Sequence, residues 1–181
     1  MLQESRSLGT LMLRETIDAF REQKAFAEKA IVQVSDDKLR QPLDPETNSI
    51  AVIMKHMAGN LLSRFTDFLT TDGEKPTRNR DGEFIDDFGS RGELLDYWER
   101  GWKCLFAALA QLTPDDLEKT VAIRGEPHSV IKALVRAMAH QAYHVGQIVM
   151  ISRIHAGDKW NVLTIPRGQS EEFNRTHWHR T

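Results

Sequence analysis

The chain has 181 residues, enough for one domain with a full hydrophobic core. Its 24 basic and 26 acidic residues leave a formal charge of -2 and are mixed along the sequence, which excludes the basic footprint that nucleic-acid binding needs. The single cysteine, Cys104, excludes an intrachain disulfide and fits a reducing cytoplasm, and no apolar run suggests a signal peptide or a membrane span.

Four long helical patterns follow in order. The first runs from about residue 5 to residue 34, with Leu13, Ile17, Phe20, Ala27, Ile31 and Val34 at three-four spacing, and Ser35, Asp36 and Asp37 are expected to stop it. Asn48 or Ser49 can cap the second, which carries Ile50, Ile53, Met57, Leu61 and Phe68. A polar connection over residues 71–89 is long enough to cross the fold or to cover a site. Ser90-Arg91-Gly92-Glu93 has the form of a capping box and starts the third helix, whose stripe is Leu95, Trp98, Trp102, Leu105, Leu109 and Leu112. Thr113-Pro114 opens a short helical turn, and residues 120–123 form a brief strand. The fourth helix is predicted from about residue 128 to residue 156, ended by Gly157, with residues 157–181 irregular. There is no internal repeat or second domain, so residues 1–181 are taken as a single unit. Four amphipathic helices of this length specify an all-α fold, a four-helix bundle, and such bundles build metal sites from facing helices.

The chemistry concentrates in His140-x-x-Tyr143-His144-x-Gly146-Gln147-Ile148. Residues four apart share a helix face, so both imidazoles can reach one metal ion. First-row ions take three or four protein ligands, and a third ligand must come from another element. His56, in the middle of the second helix, is the best donor. His128 beside Pro127 at the expected start of the fourth helix, His155 at its end, and His177 and His179 in a polar tail are poorer ones. Polar groups also replace aliphatic ones along the stripe of Ser49, Ile53, His56, Asn60 and Ser63. Asn60 and Gln147, each near a histidine on its own helix, are candidates to bind substrate or orient the ligands.

Each of these residues has a plainer reading. A lone His-x-x-x-His is compatible with surface or hydrogen-bonded core histidines. Trp98 and Trp102 are most simply core, and Tyr143 packing. Arg78, Arg80 and Arg91 near the long loop read as solvated charge, able to hold an acidic substrate group.

Taken together, Asn48-Ser49-Ile50 leading to His56, the loop from Arg78 to Phe84 and the His140 motif resemble the DinB-like superfamily of metal-binding helix bundles, a likeness that runs over nearly the full chain, and the tail of Trp160 to Ser170 with Phe173-Asn174 resembles one uncharacterised branch of it. That superfamily includes YfiT-type proteins and thiol-dependent transferases. The resemblance implies an up-down-down-up bundle with a crossover between the second and third helices, His56, His140 and His144 as metal ligands, nickel or zinc as the ion, and a homodimer. It does not choose a reaction.

Three neutral histidines leave an ion's charge uncompensated and its remaining positions open. Two chemistries follow: hydrolysis by metal-activated water, or transfer using a low-molecular-weight thiol bound as thiolate. No glutamate follows His56 or His140 as in the His-Glu-x-x-His of metalloproteases, and no general base stands out. The competing class is a non-catalytic, metal-stabilised dimeric binding or stress-response protein, which a fourth protein ligand would favour. Acidification below about pH 6 is expected to release the ion and to lower the melting temperature of the loaded protein alone.

Overall fold

A computed structural model describes the backbone of residues 2–177 and the side chains of residues 7–176. Within these are six α-helices and one two-stranded antiparallel sheet. In chain order they are α1 (Leu2–Ile31), α2 (Asp36–Arg40), α3 (Ile50–Phe65), α4 (Arg91–Gln111), β1 (Thr120–Ile123), β2 (Glu126–Ser129), α5 (Val130–Ala156) and α6 (Ser170–His177). The four predicted helices are α1, α3, α4 and α5. No helix among the described residues is long and apolar enough to cross a membrane.

Serine hydroxyls start three of these helices by accepting otherwise unpaired amide hydrogens. Ser49 accepts from Val52 at 3.2 Å, Ser90 from Glu93 at 3.2 Å, and Ser129 from Lys132 at 3.1 Å. The Glu93 carboxylate returns to the amide of Gly89 at 2.8 Å, one residue before the partner a capping box uses. α3 ends at Phe65, ahead of Asp67 with its positive φ of 48°, so Phe68 is buried from the loop and not from the helix.

Three sequence expectations change. Ser35, Asp36 and Asp37 do not simply stop the first helix; they open α2, a single turn whose only buried residue, Leu39, is too little to give a periodic signal. Residues 157–181 are not irregular throughout, because the polar segment Ser170–His177 forms α6, with Phe173 its one large apolar side chain. His128 is not at a helix start. It lies in β2 opposite Val121, since Arg124 (φ 57°) and Gly125 (φ 75°) make a two-residue hairpin turn that returns the chain before α5 begins. The side chain of His177, Trp178 and His179 lie outside the described residues, and so does the reading of them as a solvated tail.

The core lies between the long helices. α3 packs most extensively on α4, α1 lies along α5, and α3–α5 and α1–α4 contacts close the arrangement. Trp98 and Trp102 are fully buried as expected, with Phe20 edge-on to Trp102 at 6.5 Å. Leu94, fully buried, completes the α4 stripe that was assigned to the half-buried Leu95. Arg91 is a structural residue: its guanidinium donates to the carbonyls of Ile31 at 2.8 Å and Val34 at 2.9 Å, satisfying the end of α1.

α3 and α4 approach so closely at Gly101 that a Cβ there would lie 2.7 Å from the Cα of Ala58. That neighbour is backbone and cannot swing aside. Gly101→Ala is therefore expected to destabilise the protein by about 1–3 kcal/mol despite the better helix propensity of alanine. A melting curve checks this, and an unchanged or higher midpoint would show that the two helices can separate freely.

The connection between α3 and α4 is pinned to both neighbours. The amide of Gly73 donates to the Ala122 carbonyl at 2.8 Å, and Asp72 accepts from the amides of Arg124 at 2.8 Å and Gly125 at 2.7 Å, which fastens the loop to the hairpin turn. Further on, a 3-10 turn over Asp81–Phe84 is held by Lys55 of α3, whose ammonium donates to the carbonyls of Gly82 at 2.8 Å and Ile85 at 2.9 Å and to Asp87 at 2.6 Å.

Candidate metal centre

α3 presents His56 and α5 presents His140 and His144, one turn apart, to the same point. One ring nitrogen from each lies within 4.8 Å of the others, a spacing that could hold a metal ion. The ring centroids are 5.3 Å apart for His56 and His140, 5.1 Å for His56 and His144, and 4.7 Å for His140 and His144. Among the described residues no fourth histidine, cysteine or carboxylate joins the group.

The partners of the other ring nitrogens decide which lone pairs are free. His56 Nδ1 lies 2.9 Å from Glu83 Oε2, and both groups are about 5% exposed. Burial raises the Glu83 pKa, but hydrogen bonds from His56 and Arg78, with the Arg78 charge, outweigh it and the net shift is downward. An ionised carboxylate only accepts, so His56 Nδ1 carries a hydrogen, and in the neutral ring Nε2 is the nitrogen with the lone pair. His144 Nδ1 likewise donates to Gln147 Oε1 at 2.7 Å, and its Nε2 is buried with no hydrogen-bond partner. An orphaned, buried imidazole nitrogen beside two others is what a metal site requires, and the residues present fit a divalent ion.

His140 completes the pattern differently. Its Nε2 is 3.3 Å from His56 Nε2, and opposite a neutral His56 with its hydrogen on Nδ1, His140 Nε2 is the donor of the pair. Gln141, fully buried, turns its amide nitrogen toward His140 Nδ1 at 3.4 Å and leaves its own Oε1 without a partner. Rotating that amide by half a turn would offer Oε1 to a hydrogen on Nδ1 and free His140 Nε2 to join the other two.

Glu83 is fixed from behind by Arg78, which donates from Nε to Oε1 at 2.7 Å and from Nη2 to Oε2 at 2.8 Å. The Arg78 side chain is 4% exposed, so it is not the solvated charge its sequence context suggested. Glu83 reaches His56 because residue 59, one turn further along α3, is glycine; a Cβ there would lie 2.6 Å from Glu83 Oε1. Phe84, next in the turn, stacks on the His56 ring at 4.9 Å.

A cavity of about 210 Å³ opens beside His56 and His140. Asn60 is buried and lines it. Gln147 is solvent-exposed and acts on His144 through the bond already described. Tyr143 packs on the site and not in the core: it is 54% exposed, lines the cavity and lies 4.2 Å from the His144 ring centre to centre. His128 and His155 are elsewhere, bonded to the carbonyls of Glu126 at 3.0 Å and Gln41 at 2.9 Å. Glu83 and Gln141 were missed by sequence reasoning. The only signal for Glu83 was a carboxylate within the loop from Arg78 to Phe84, and Gln141 differs from its neighbours only by total burial.

Burial first, then the neighbouring imidazoles and arginines, push the His140 pKa down to about 3. Burial also lowers His144 to about 4, with the Gln147 hydrogen bond opposing. Both are neutral at pH 7, the form that binds metal. In unfolded chain they titrate near 6.5, so between about pH 6.5 and 4 the unfolded state binds more protons than the folded one. The associated stability is present above 6.5 and is lost as pH falls toward the folded values. Melting temperature of chelator-stripped protein is therefore expected to decline between pH 6.5 and 4.5, before the carboxylates contribute. The loss is not confined to loaded protein, because burial alone depresses these pKa values. A His140→Gln/His144→Gln double variant should flatten that window; an unflattened curve would place the titration elsewhere.

No curated protein matches the chain. The sequence model of one family, described as Protein of unknown function (DUF1572), matches residues 7–169, a span that contains all three histidines, Glu83 and the whole cavity.

Proposed function

The chain belongs to the DUF1572 family, and from that premise we propose that it is a divalent-metal-binding protein of DinB-like descent that acts as a metal-dependent enzyme on a small molecule. The observation that carries the reading is the buried, unpartnered His144 Nε2 facing His56 and His140. His56, His140 and His144 hold the ion, nickel or zinc, through their Nε2 atoms. When bound, such an ion supplies an activated water with a pKa near 7 or a thiolate at neutral pH, the starting points for hydrolysis or thiol transfer.

The remaining roles belong to the chain. Glu83 and Gln147 hold His56 and His144 as the tautomers that expose Nε2, and Gln141 follows the proton of His140 between its two nitrogens. Asn60 on the cavity wall is placed to bind substrate. Three protein ligands and an adjoining cavity favour a reactive site over a closed structural one. We place the four long helices in an up-down-down-up bundle within a single domain, with residues 71–89 as crossover, acting as a cytoplasmic homodimer.

Protein purified without chelator should contain about one divalent ion per chain by elemental analysis, which also separates nickel from zinc. Cobalt-substituted protein should gain a sulfur-to-metal charge-transfer band on adding a small thiol. A missing ion would overturn the metal reading. An ion present with no thiol response would move the reading to hydrolysis or to a binding role.

A further inference from the structure

Five guanidinium groups, those of Arg64, Arg78, Arg80, Arg124 and Arg136, line the cavity beside His140. Their neutralisation is incomplete. Arg64, Arg78 and Arg124 all share one carboxylate oxygen, Glu74 Oε2, at 2.9, 3.1 and 3.2 Å. Of these arginines Glu83 pairs only with Arg78, and the Asp72 carboxylate is committed to backbone amides. No carboxylate pairs with Arg80 or Arg136 among the described residues. Arg80 lies over the face of Phe84 at 5.3 Å, and Arg136 meets only the ring of His128, at 3.2 Å from Nε2.

We propose that this cavity is an anion-binding pocket, which takes a small organic molecule by a carboxylate or phosphate group held between Arg136 and Arg80. The pocket deepens the metal-enzyme reading, on which its placement beside a reactive centre rests. Arg136 and His140 are four residues apart on α5, hence on one helix face and about 5–6 Å apart at Cβ. Arg80 reaches the same space from the loop whose Phe84 stacks on His56. An oxyanion between these two arginines leaves the rest of the molecule over the His56 and His140 nitrogens. Planar guanidinium forks suit carboxylate and phosphate alike. The volume, about 210 Å³, accommodates a small metabolite.

The test is calorimetric titration of the full chain, metal-loaded and chelator-stripped, with succinate, inorganic phosphate and the uncharged succinamide at low ionic strength. Succinate or phosphate should bind the stripped protein, weaken as salt is added, and lose about tenfold in affinity in Arg136→Gln and again in Arg80→Gln, while metal content stays unchanged. Succinamide should not bind. Preference between the two anions assigns the substrate group as carboxylate or phosphate. Absence of anion binding to either form overturns the pocket and leaves the metal reading standing. So does binding that requires the metal and ignores both arginine variants, since the ion alone would then hold the anion. If no metal binds, the stripped-protein titrations still decide the pocket.

Discussion

His144→Ala is expected to strip the protein of its ion. The change removes one of the three nitrogens proposed to bind it, and loss of a mere hydrogen-bonding partner behind a ligand already weakens metal sites by about 10–100-fold. Loss of a ligand itself should exceed the upper figure, so occupancy after dialysis should fall from about one ion per chain to near zero. His56→Ala and His140→Ala should behave alike, because each of the other two nitrogens lies within 4.8 Å of the one deleted. His155→Ala is the control, its imidazole being spent on the Gln41 carbonyl. The fold should persist in all of them, since the core that includes Phe20, Trp98, Trp102 and Leu105 contains none of the three histidines. Elemental analysis of each variant decides the matter, and full retention by His144→Ala would remove the proposed site.

Glu83→Ala is expected to damage both stability and metal binding. Arg78 would remain buried with only Glu74 as counter-charge, and His56 Nδ1–H would lose its acceptor. Removing one partner of a buried ion pair typically costs about 3–5 kcal/mol, which for a chain of this size lowers the melting midpoint by roughly 2–4 °C per kcal/mol. Affinity for the ion should fall by about 10–100-fold because the His56 tautomer is no longer fixed. Glu83→Gln separates the effects. Its amide oxygen can still accept from His56, so metal affinity should recover further than thermal stability. A Glu83→Ala protein that melts and binds metal like the parent would mean that the carboxylate neither balances Arg78 nor orients His56.

The long helices and the three histidines were legible in the sequence because each writes a periodic signal: three-four spacing for the buried faces, and i,i+4 for His140 and His144. His56 was legible by its position within a second apolar stripe. What escaped notice has no period. Glu83 acts from a 3-10 turn of four residues and acquires meaning only through contact with α3. Arg78 and Arg91 look alike in sequence, two arginines flanking a polar loop, yet one secures the Glu83 carboxylate and the other caps α1. The hairpin was half visible: β1 is an apolar alternation, whereas β2 contains Pro127 and merges into the run that starts α5. α2 and α6 are too short or too polar to imprint a stripe.

The hairpin also acts as an indexing device for the centre. β2 passes into α5 through Ser129, which is both the last residue paired with β1 and the helix cap, so no slack separates the strand register from the rotational phase of the helix. Asp72 and Gly73 clamp the same hairpin to the loop that delivers Glu83. One residue inserted in α5 ahead of His140 would turn the later helix by about 100° and carry both imidazoles off the face shared with His56. The two strands thereby bear on the angle at which α5 meets α3, and changes of length after Gly157 are expected to be tolerated better than between Thr120 and His140.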